Sequence, residues 1–299
     1  MSARPRGSAA GLAYALAAYV VWGLFPVYFR ALAGVPALEV LASRILWSCV
    51  FLALLLTARR GWGEVAPLLR SPRRVLWLTA TALLISSNWL IFIWAVGHGH
   101  TVDSSVGYFV TPLVSVVLGL LVLREPMSRA QGAAVLLAGA GVAALVLGTG
   151  TRPWIALALA ATFSSYGLLR KMAGVAATGG LFVETLVLAP AAAAWLAFGS
   201  GPPGGHLAAG GRTAVLLLLS GLVTALPLIW FAEGVRRLRL STAGILLYVN
   251  PSLQLADAVL LFGEPFTRAH AVAFGCIWVS IAVYSVDALR AARRAEQAA

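Results

Sequence analysis

Residues 107–130 read GYFVTPLVSVVLGLLVLREPMSRA, and residues 246–269 read LLYVNPSLQLADAVLLFGEPFTRA. A proline, a Glu-Pro pair and an Arg-Ala pair recur in both stretches at a constant separation of 139 positions, beginning with Pro112 and Pro251. No gap is needed to align the two stretches, so duplication explains them better than chance does. The sequence therefore predicts two related halves, with the function located between them.

The composition is that of a membrane protein. Apolar residues make up 61% of the 299 positions and charged residues only 11%, whereas a soluble domain carries about 25% charged residues. The net charge of +12 does not indicate nucleic-acid binding, because the arginines fall in short clusters between apolar segments. Cys49 and Cys276 both lie inside apolar runs, which favours packing roles over a disulfide or a metal site.

Apolar runs long enough to cross a bilayer occupy nearly the whole chain, since one spanning helix needs about 20 residues. We predict ten such spans: 11–33, 37–58, 74–97, 102–123, 128–148, 153–171, 177–198, 212–235, 240–262 and 267–287. The predicted fold class is an all-α integral membrane protein with two inverted five-helix repeats. The first half would be residues 1–150 and the second half residues 151–299.

The positions of the basic residues predict the orientation of these spans. With a cytoplasmic N-terminus, 17 Lys and Arg residues fall on inner segments and 4 on outer segments, which follows the positive-inside rule. Both termini are then cytoplasmic. Five spans per half is an odd number, so the two halves cross the membrane in opposite directions. Inverted repeats place a substrate site near the bilayer midplane, where the halves meet.

The chain resembles the EamA-type carriers of the drug/metabolite transporter superfamily. The matching stretches are WGLFPVYF at 22–29, SRILWS at 43–48, NWLIFIWAV at 88–96, GYFVTPL at 107–113, YGLLRK at 166–171, RLST at 239–242 and YVNP at 248–251. Within the superfamily they are most similar to the RarD group, which is named for chloramphenicol sensitivity. The resemblance implies ten spans, inverted five-span repeats, and export or facilitated movement of small metabolites.

Four positions depart from the pattern of that family. Thr111 stands where the family usually has Asn before the proline of the fourth span, and Ser43 stands where it usually has His. Asp257 and Glu233 occupy positions where apolar or small residues are expected. These departures concern the identity of the substrate and leave the predicted fold unchanged.

Arg44 lies seven positions into the second predicted span, or about 10 Å along a helix. An arginine near a helix centre costs about 2.5–3.5 kcal/mol on insertion scales, so it should face the interior and have a partner. We interpret Arg44 as a substrate-binding anchor for an anion or a carboxylate. The alternatives are a structural pair with Glu39, five residues earlier, or a side chain that extends to the outer interface.

Two carboxylates within predicted spans are candidates for proton coupling. Glu184 lies in the seventh span, where burial disfavours the charged form and a proton could be bound and released. It could instead pair with Arg44 or accept a hydrogen bond from a broken helix. Asp257, in the outer third of the ninth span, is the second candidate, with exposure at the cavity mouth as its alternative. Glu233 is expected to pair with the arginines that follow it.

Aromatic and amide side chains could complete a binding pocket. The predicted pocket residues, besides Arg44, are Trp22, Asn88, Tyr108, Tyr166, Tyr248 and Asn250. The aromatic residues offer a stacking face and one donor each, although Trp and Tyr also form interfacial belts. The two amides lie within spans and need hydrogen-bond partners, and Asn250 could serve either a substrate or a kinked helix.

Two further motifs are expected to be structural. His98 and His100 lie in a short outer loop without a third ligand nearby, so an exposed interfacial pair is favoured over a metal site. Glu125-Pro126 and Glu264-Pro265 are expected at helix starts, where proline fits the first turn and a carboxylate is favourable.

The sequence favours a secondary transporter that exchanges or exports small metabolites, amino-acid-like or aromatic, by alternating access. No ATP-binding motif and no cofactor are predicted. A passive facilitator or channel is the alternative, and an integral-membrane enzyme is disfavoured because the loops are short and carry no catalytic set. The expected partners are a small-molecule substrate and the lipid bilayer, without nucleic acid, in a monomer or weak homodimer. The expected location is the inner (plasma) membrane.

Overall fold

The computed structural model describes residues 6–123, 128–149, 153–199, 205–208, 210–237 and 248–298, and within these residues it is helical without a strand. The helices are α1 (Arg6–Gly23), α2 (Phe25–Arg30), α3 (Ala37–Ala58), α4 (Ala66–Leu69), α5 (Pro72–Gly97), α6 (Thr101–Leu123), α7 (Arg129–Thr149), α8 (Trp154–Ala173), α9 (Ala177–Phe198), α10 (Gly205–Ala208), α11 (Gly211–Arg237), α12 (Val249–Ala256) and α13 (Arg268–Ala298). A 3₁₀ turn covers Gly61–Glu64, and α12 continues as a π-helix over Asp257–Leu261.

The helices follow the predicted spans closely where the structure describes them. The second and seventh spans, 37–58 and 177–198, coincide with α3 and α9. The first span is divided into α1 and α2 at Leu24, since Pro26 lacks the N–H that would continue the backbone ladder. Five of the described helical segments are long and apolar enough to cross a membrane. The all-helical membrane class is confirmed, and the number of ten spans stays a prediction.

The two copies of the repeated stretch end in the same local structure. Before α7, Ser128 N–H donates to Gln131 Oε1 at 3.1 Å, and Gln131 N–H donates to Ser128 Oγ at 3.1 Å. Before α13, Thr267 N–H donates to His270 Nδ1 at 3.1 Å, and His270 N–H donates to Thr267 Oγ1 at 3.4 Å. Both are reciprocal capping boxes, which satisfy backbone donors at a helix N-terminus. They lie 139 positions apart, at the separation of the repeat.

The prediction that Glu264-Pro265 begins a helix is wrong. Residues 263–267 are not helical, and α13 begins only at Arg268. The Glu264 carboxylate instead accepts hydrogen bonds from the backbone N–H groups of Thr101 and Val102 at 2.9 and 2.8 Å. It therefore caps the N-terminus of α6, where a negative charge is favourable. Glu125-Pro126 lies outside the described residues.

The helices pack in pairs that bring residues from the two halves together. α7 packs along α13, α6 along α8, α1 along α11, and α3 along both α9 and α11. α5 packs against α8 and α9, and α12 packs against α1 and α6. The largest apolar core cluster draws its side chains mainly from α2, α3 and α5. This cluster surrounds Arg44, the charged residue on which the functional interpretation rests.

Two close contacts join α7 to α13. A side chain at Gly141 would meet Cys276 Cβ at 2.8 Å and the Ala273 carbonyl oxygen at 3.1 Å. Ser280 Oγ donates to the Ala134 carbonyl oxygen at 2.6 Å. Ala134 and Ala273 are 139 positions apart, and so are Gly141 and Ser280. The two contacts are therefore equivalent under the repeat.

Candidate functional site

Arg44 is buried in the middle of the helix bundle. It is the eighth residue of α3 and is 3% exposed. Its guanidinium lies over the ring of Trp89, with 4.1 Å from Cζ to the ring centroid, and near the rings of Phe25 and Phe29 at 5.5 and 5.4 Å. Aromatic faces attract a cation and hold its planar group in place. The arginine is therefore oriented by a cage of rings.

The hydrogen bonds of Arg44 leave most of its donors available. Nε donates to Thr224 Oγ1 at 2.6 Å, and the described residues supply no acceptor for the two terminal nitrogens. No carboxylate lies within ion-pair distance of the guanidinium in the described part of the chain. Since a guanidinium has five donors in a fixed fork, four of them remain for a bidentate partner such as a carboxylate.

The carboxylates that were alternative partners for Arg44 have other contacts. Glu39 accepts from His206 N–H at 2.6 Å and contacts His206 Nδ1 at 2.8 Å. This contact holds the short helix α10 against the start of α3. Glu184 pairs with Arg170, with Nη1 and Oε1 3.3 Å apart. The burial of Arg44 also argues against extension of its side chain to the membrane interface.

Glu184 lies in a polar network that joins three helices. It is the eighth residue of α9 and is 1% exposed. Its Oε1 accepts from Thr81 Oγ1 at 2.7 Å and from Arg170, and its Oε2 accepts from the Tyr166 hydroxyl at 3.3 Å. Because Thr81 belongs to α5 and the other two belong to α8, the carboxylate ties α5, α8 and α9 together. Arg170 and the two hydroxyl groups offset part of the cost of burying this carboxylate.

Arg170 was not recognised as an interior residue from the sequence. It lies near the C-terminal end of α8, among residues that the orientation argument assigned to an inner segment. Its side chain turns back to Glu184 and also donates to the Ala177 carbonyl oxygen at 3.4 Å. Gly180 leaves the space for this path, because a Cβ there would lie 2.8 Å from Arg170 Cζ. In the sequence, the feature that could have indicated this inward path is Gly180, four residues before Glu184.

Asn88 and Tyr108 form a second network next to the first. Asn88 Nδ2 donates to the Leu159 carbonyl oxygen at 3.0 Å and to Thr162 Oγ1 at 2.9 Å, and the Tyr108 hydroxyl donates to Asn88 Oδ1 at 3.1 Å. Phe163 lies between Tyr108 and Tyr166, with centroid distances of 6.0 and 6.3 Å. The amide is thus satisfied within the protein, and the tyrosine rings connect it to the Glu184 network.

Asn250 and Asp257 lie in the region where α12 packs on α1. Trp22 joins this region to the apolar cluster around Arg44, against which it also packs. Gln254 Nε2 donates to Asn250 Oδ1 at 2.8 Å and to the Trp22 carbonyl oxygen at 3.4 Å. The Trp22 ring lies 5.5 Å from the ring of Phe231. Asp257 is 5% exposed and its Oδ2 has no hydrogen-bond partner among the described residues. Gln254, which joins these residues, was not singled out from the sequence.

The remaining candidates lie apart from these groups. Tyr248 stacks on Phe109 at a centroid distance of 6.4 Å, within another apolar cluster. His98 and His100 stack on Trp94 at the C-terminal end of α5, and His100 pairs with Asp103. No group of three potential metal ligands occurs in the part of the chain that the structure describes. The side chain of Glu233 lies outside the described set.

Comparison with known proteins gives several full-length relatives. The sequence profile of the EamA-like transporter family matches residues 9–147. An "Uncharacterized transporter" of Vibrio cholerae is 43% identical and the match covers 96% of each chain. "Protein RarD" of Escherichia coli K12 is 40% identical, with 95% of this chain and 96% of the relative covered. "Chloramphenicol-sensitive protein RarD" of Pseudomonas aeruginosa is 34% identical, with 97% and 98% covered.

One solved crystal structure has a similar fold. It superposes with a TM-score of 0.60 and covers 92% of this chain and 97% of its own, at 20% sequence identity. At 20% sequence identity, this similarity shows a shared fold alone.

Proposed function

This chain belongs to the EamA-like transporter family, and from that premise we propose that it is a secondary transporter that moves small organic metabolites across the cytoplasmic membrane by alternating access. The observation that carries the proposal is Arg44. A buried guanidinium without a carboxylate partner among the described residues is costly to maintain, and an anionic substrate group would compensate it. Its aromatic cage suits substrates with an apolar or aromatic body, so aromatic and amino-acid-like carboxylates are the preferred candidates.

We propose further that the two halves are inverted repeats with the transport path between them. Several features support this arrangement. Under the proposed repeat, α1, α3, α5 and α6 correspond to α8, α9, α11 and α12. The α1–α11, α3–α11 and α6–α8 contacts then have the counterparts α8–α5, α9–α5 and α12–α1, and all six are present. The equivalent capping boxes and the equivalent contacts of α7 with α13 follow the same relation. Two packed, related bodies around a central site are what alternating access requires.

We propose that Glu184 couples the cycle to protons through its contact with Arg170. When charged, Glu184 holds Arg170 and accepts a hydrogen bond from Thr81, which keeps α5, α8 and α9 together. When it takes up a proton, its attraction for Arg170 is lost and these helices are free to separate. Proton binding would thereby favour opening of the bundle on the side where Arg170 lies.

The function is tested by flux measurements on the purified chain in vesicles. Amino acids and aromatic carboxylates are offered first, each with and without an imposed proton gradient, together with uncharged analogues of the same shape. Saturable flux that favours carboxylates and responds to the gradient supports the proposal. Flux that follows concentration alone would indicate a passive facilitator. Equal flux of the uncharged analogues would contradict an anion anchor.

The proposed orientation is tested by reporter fusions. Both termini and the 59–73 segment are expected in the cytoplasm, and the 199–211 segment on the outer side, because of the distribution of arginine. Agreement of all four positions supports inversion of the halves. A reporter at 199–211 on the same side as both termini would contradict it.

A further inference from the structure

Helix α12 presents an amide whose orientation is fixed by its neighbours. Gln254 Nε2 donates to Asn250 Oδ1 and to the Trp22 carbonyl oxygen. The Trp22 carbonyl can accept this bond because Pro26, four residues later, has no N–H to donate to it. Since the Trp22 carbonyl oxygen can only accept, the amide atom that contacts it must be Nε2, and the other atom is the carbonyl oxygen Oε1. That oxygen needs a positive or donating partner.

Two enclosed oxygens on this helix have no such partner. Gln254 Oε1 and Asp257 Oδ2 are both buried and make no hydrogen bond with the residues that the structure describes. The two residues are 2% and 5% exposed, respectively. They are three positions apart, so they lie on neighbouring turns of the same helix face. Asp257 also has no ion pair in the described chain, and leaving a buried carboxylate uncompensated is strongly unfavourable.

These oxygens lie beside the break between α1 and α2. Gly23 packs so closely on α12 that a Cβ there would lie 2.7 Å from Leu253 Cβ. Farther along, the Arg30 guanidinium lies 5.3 Å from the ring centroid of Phe262. The two segments therefore run side by side in the same direction. Asp257, one turn after Leu253, is consequently level with the residues at the break.

The break releases a further backbone oxygen. In a continuous helix Val27 N–H would donate to the Gly23 carbonyl, but it donates to the Leu24 carbonyl oxygen at 3.1 Å instead. On the facing segment the regular ladder also changes, because Phe262 N–H donates to the carbonyl oxygen of Asp257, five residues earlier, at 3.0 Å. Short π-helical segments occur frequently at functional sites. The two irregular segments thus lie side by side, and each has an oxygen without its regular partner.

We propose that Asp257, Gln254 Oε1 and the released carbonyl of Gly23 form a binding site for a monovalent metal cation, Na⁺. The groups are all oxygens, which hard cations prefer. A single carboxylate neutralises a single positive charge, so a divalent ion would leave an excess charge in an apolar surrounding. One proton on Asp257 would satisfy at most two of these oxygens, whereas a metal ion contacts all of them. Broken membrane helices coordinate Na⁺ through such carbonyls.

The site is tested by binding measurements on the purified full-length chain in detergent, without any transported substrate. Radioactive Na⁺ is expected to bind with a stoichiometry near one, and NaCl is expected to raise the melting temperature relative to choline chloride at the same ionic strength. KCl and LiCl in place of NaCl measure the selectivity. Because neither readout requires flux, failure of this inference is distinguishable from failure of the transport proposal.

Asp257→Asn keeps the shape of the side chain and removes its charge, so it should lose both Na⁺ binding and the thermal shift. Its melting temperature in choline chloride shows whether it folds. Gln254→Met, which removes Oε1 and keeps the length, should bind Na⁺ more weakly. Asp287→Asn is the matched control, because the Asp287 carboxylate lies in α13 and already accepts a hydrogen bond from the Ser128 hydroxyl at 2.7 Å. Absence of Na⁺ binding to the wild type, equal binding by folded Asp257→Asn, or dependence on pH but not on Na⁺ would overturn the inference.

Discussion

Arg44 and Glu184 are each the eighth residue of a long helix, α3 and α9 respectively, and these two helices pack against each other. Both are almost fully buried, yet their surroundings differ. Glu184 has a cation and two hydroxyl donors from neighbouring helices. Among the described residues, Arg44 has one hydrogen bond and three aromatic rings as neighbours. The difference teaches that burial alone does not define the role of a charge: on the function proposed above, the paired Glu184 couples helices and the unpaired Arg44 binds the ligand.

The strongest way to test this comparison is to remove the cation that compensates Glu184. Arg170→Ala is expected to lower the free energy of unfolding by about 3–5 kcal/mol, because it leaves a buried carboxylate unpaired. Unfolding in detergent micelles measures the change, and Arg73→Ala, at an exposed arginine near the start of α5, is the control. Adding Glu184→Gln to Arg170→Ala should restore part of the stability. An unchanged unfolding free energy in Arg170→Ala would show that the network does not hold the helices.

Arg44→Ala should leave the fold less affected and the flux more affected. Hydrogen bonds to charged groups contribute about 1.5–3 kcal/mol, which corresponds to about a 10–150-fold lower flux at limiting substrate. Arg44→Lys should recover little, because a point charge lacks the planar fork. Vesicle flux at equal protein incorporation measures both variants, again with Arg73→Ala as the control. Wild-type flux in Arg44→Ala would remove the anchor role.

Glu184→Gln separates the coupling role of Glu184 from its structural role. The amide retains an oxygen that accepts from Thr81, but it cannot titrate. We expect substrate exchange to continue while the response to an imposed pH gradient is lost, as measured by flux at fixed substrate with the gradient on and off. Exchange and folding lost together would make Glu184 structural. A wild type that ignores the gradient would refute proton coupling.

The smallest effects are expected at the two capping boxes, which share the same hydrogen-bond geometry. Ser128→Ala and Thr267→Ala should each lower the free energy of unfolding by about 0.5–2 kcal/mol, since each removes the cap of one helix. Similar losses in the two variants would extend the equivalence of the halves from geometry to energetics. A large loss in one variant alone would show that the equivalence ends at the helix starts.

The sequence predicts the helices well because membrane spans are specified by length and apolarity. It also predicts that Arg44 faces the interior, because a charge within a span is too costly to place in lipid. The sequence does not predict contacts between residues that are far apart in the chain. Glu264 caps α6 from 163 positions away, and Arg170 reaches inward from a helix end where an arginine is equally expected to face water. Such contacts depend on how the helices pack, which local pattern does not specify.

The contact between α7 and α13 has a consequence for how the chain can be assembled. Gly141 lies against Ala273, and Ser280 lies against Ala134. At the separation of 139 positions Gly141 corresponds to Ser280 and Ala134 to Ala273, so the two contacts join equivalent residues. This is the reciprocity found in the interfaces of symmetric homodimers. α7 from the first half and α13 from the second half supply the two complementary sides of this contact. Two separately synthesised halves therefore already contain the surface through which they would associate.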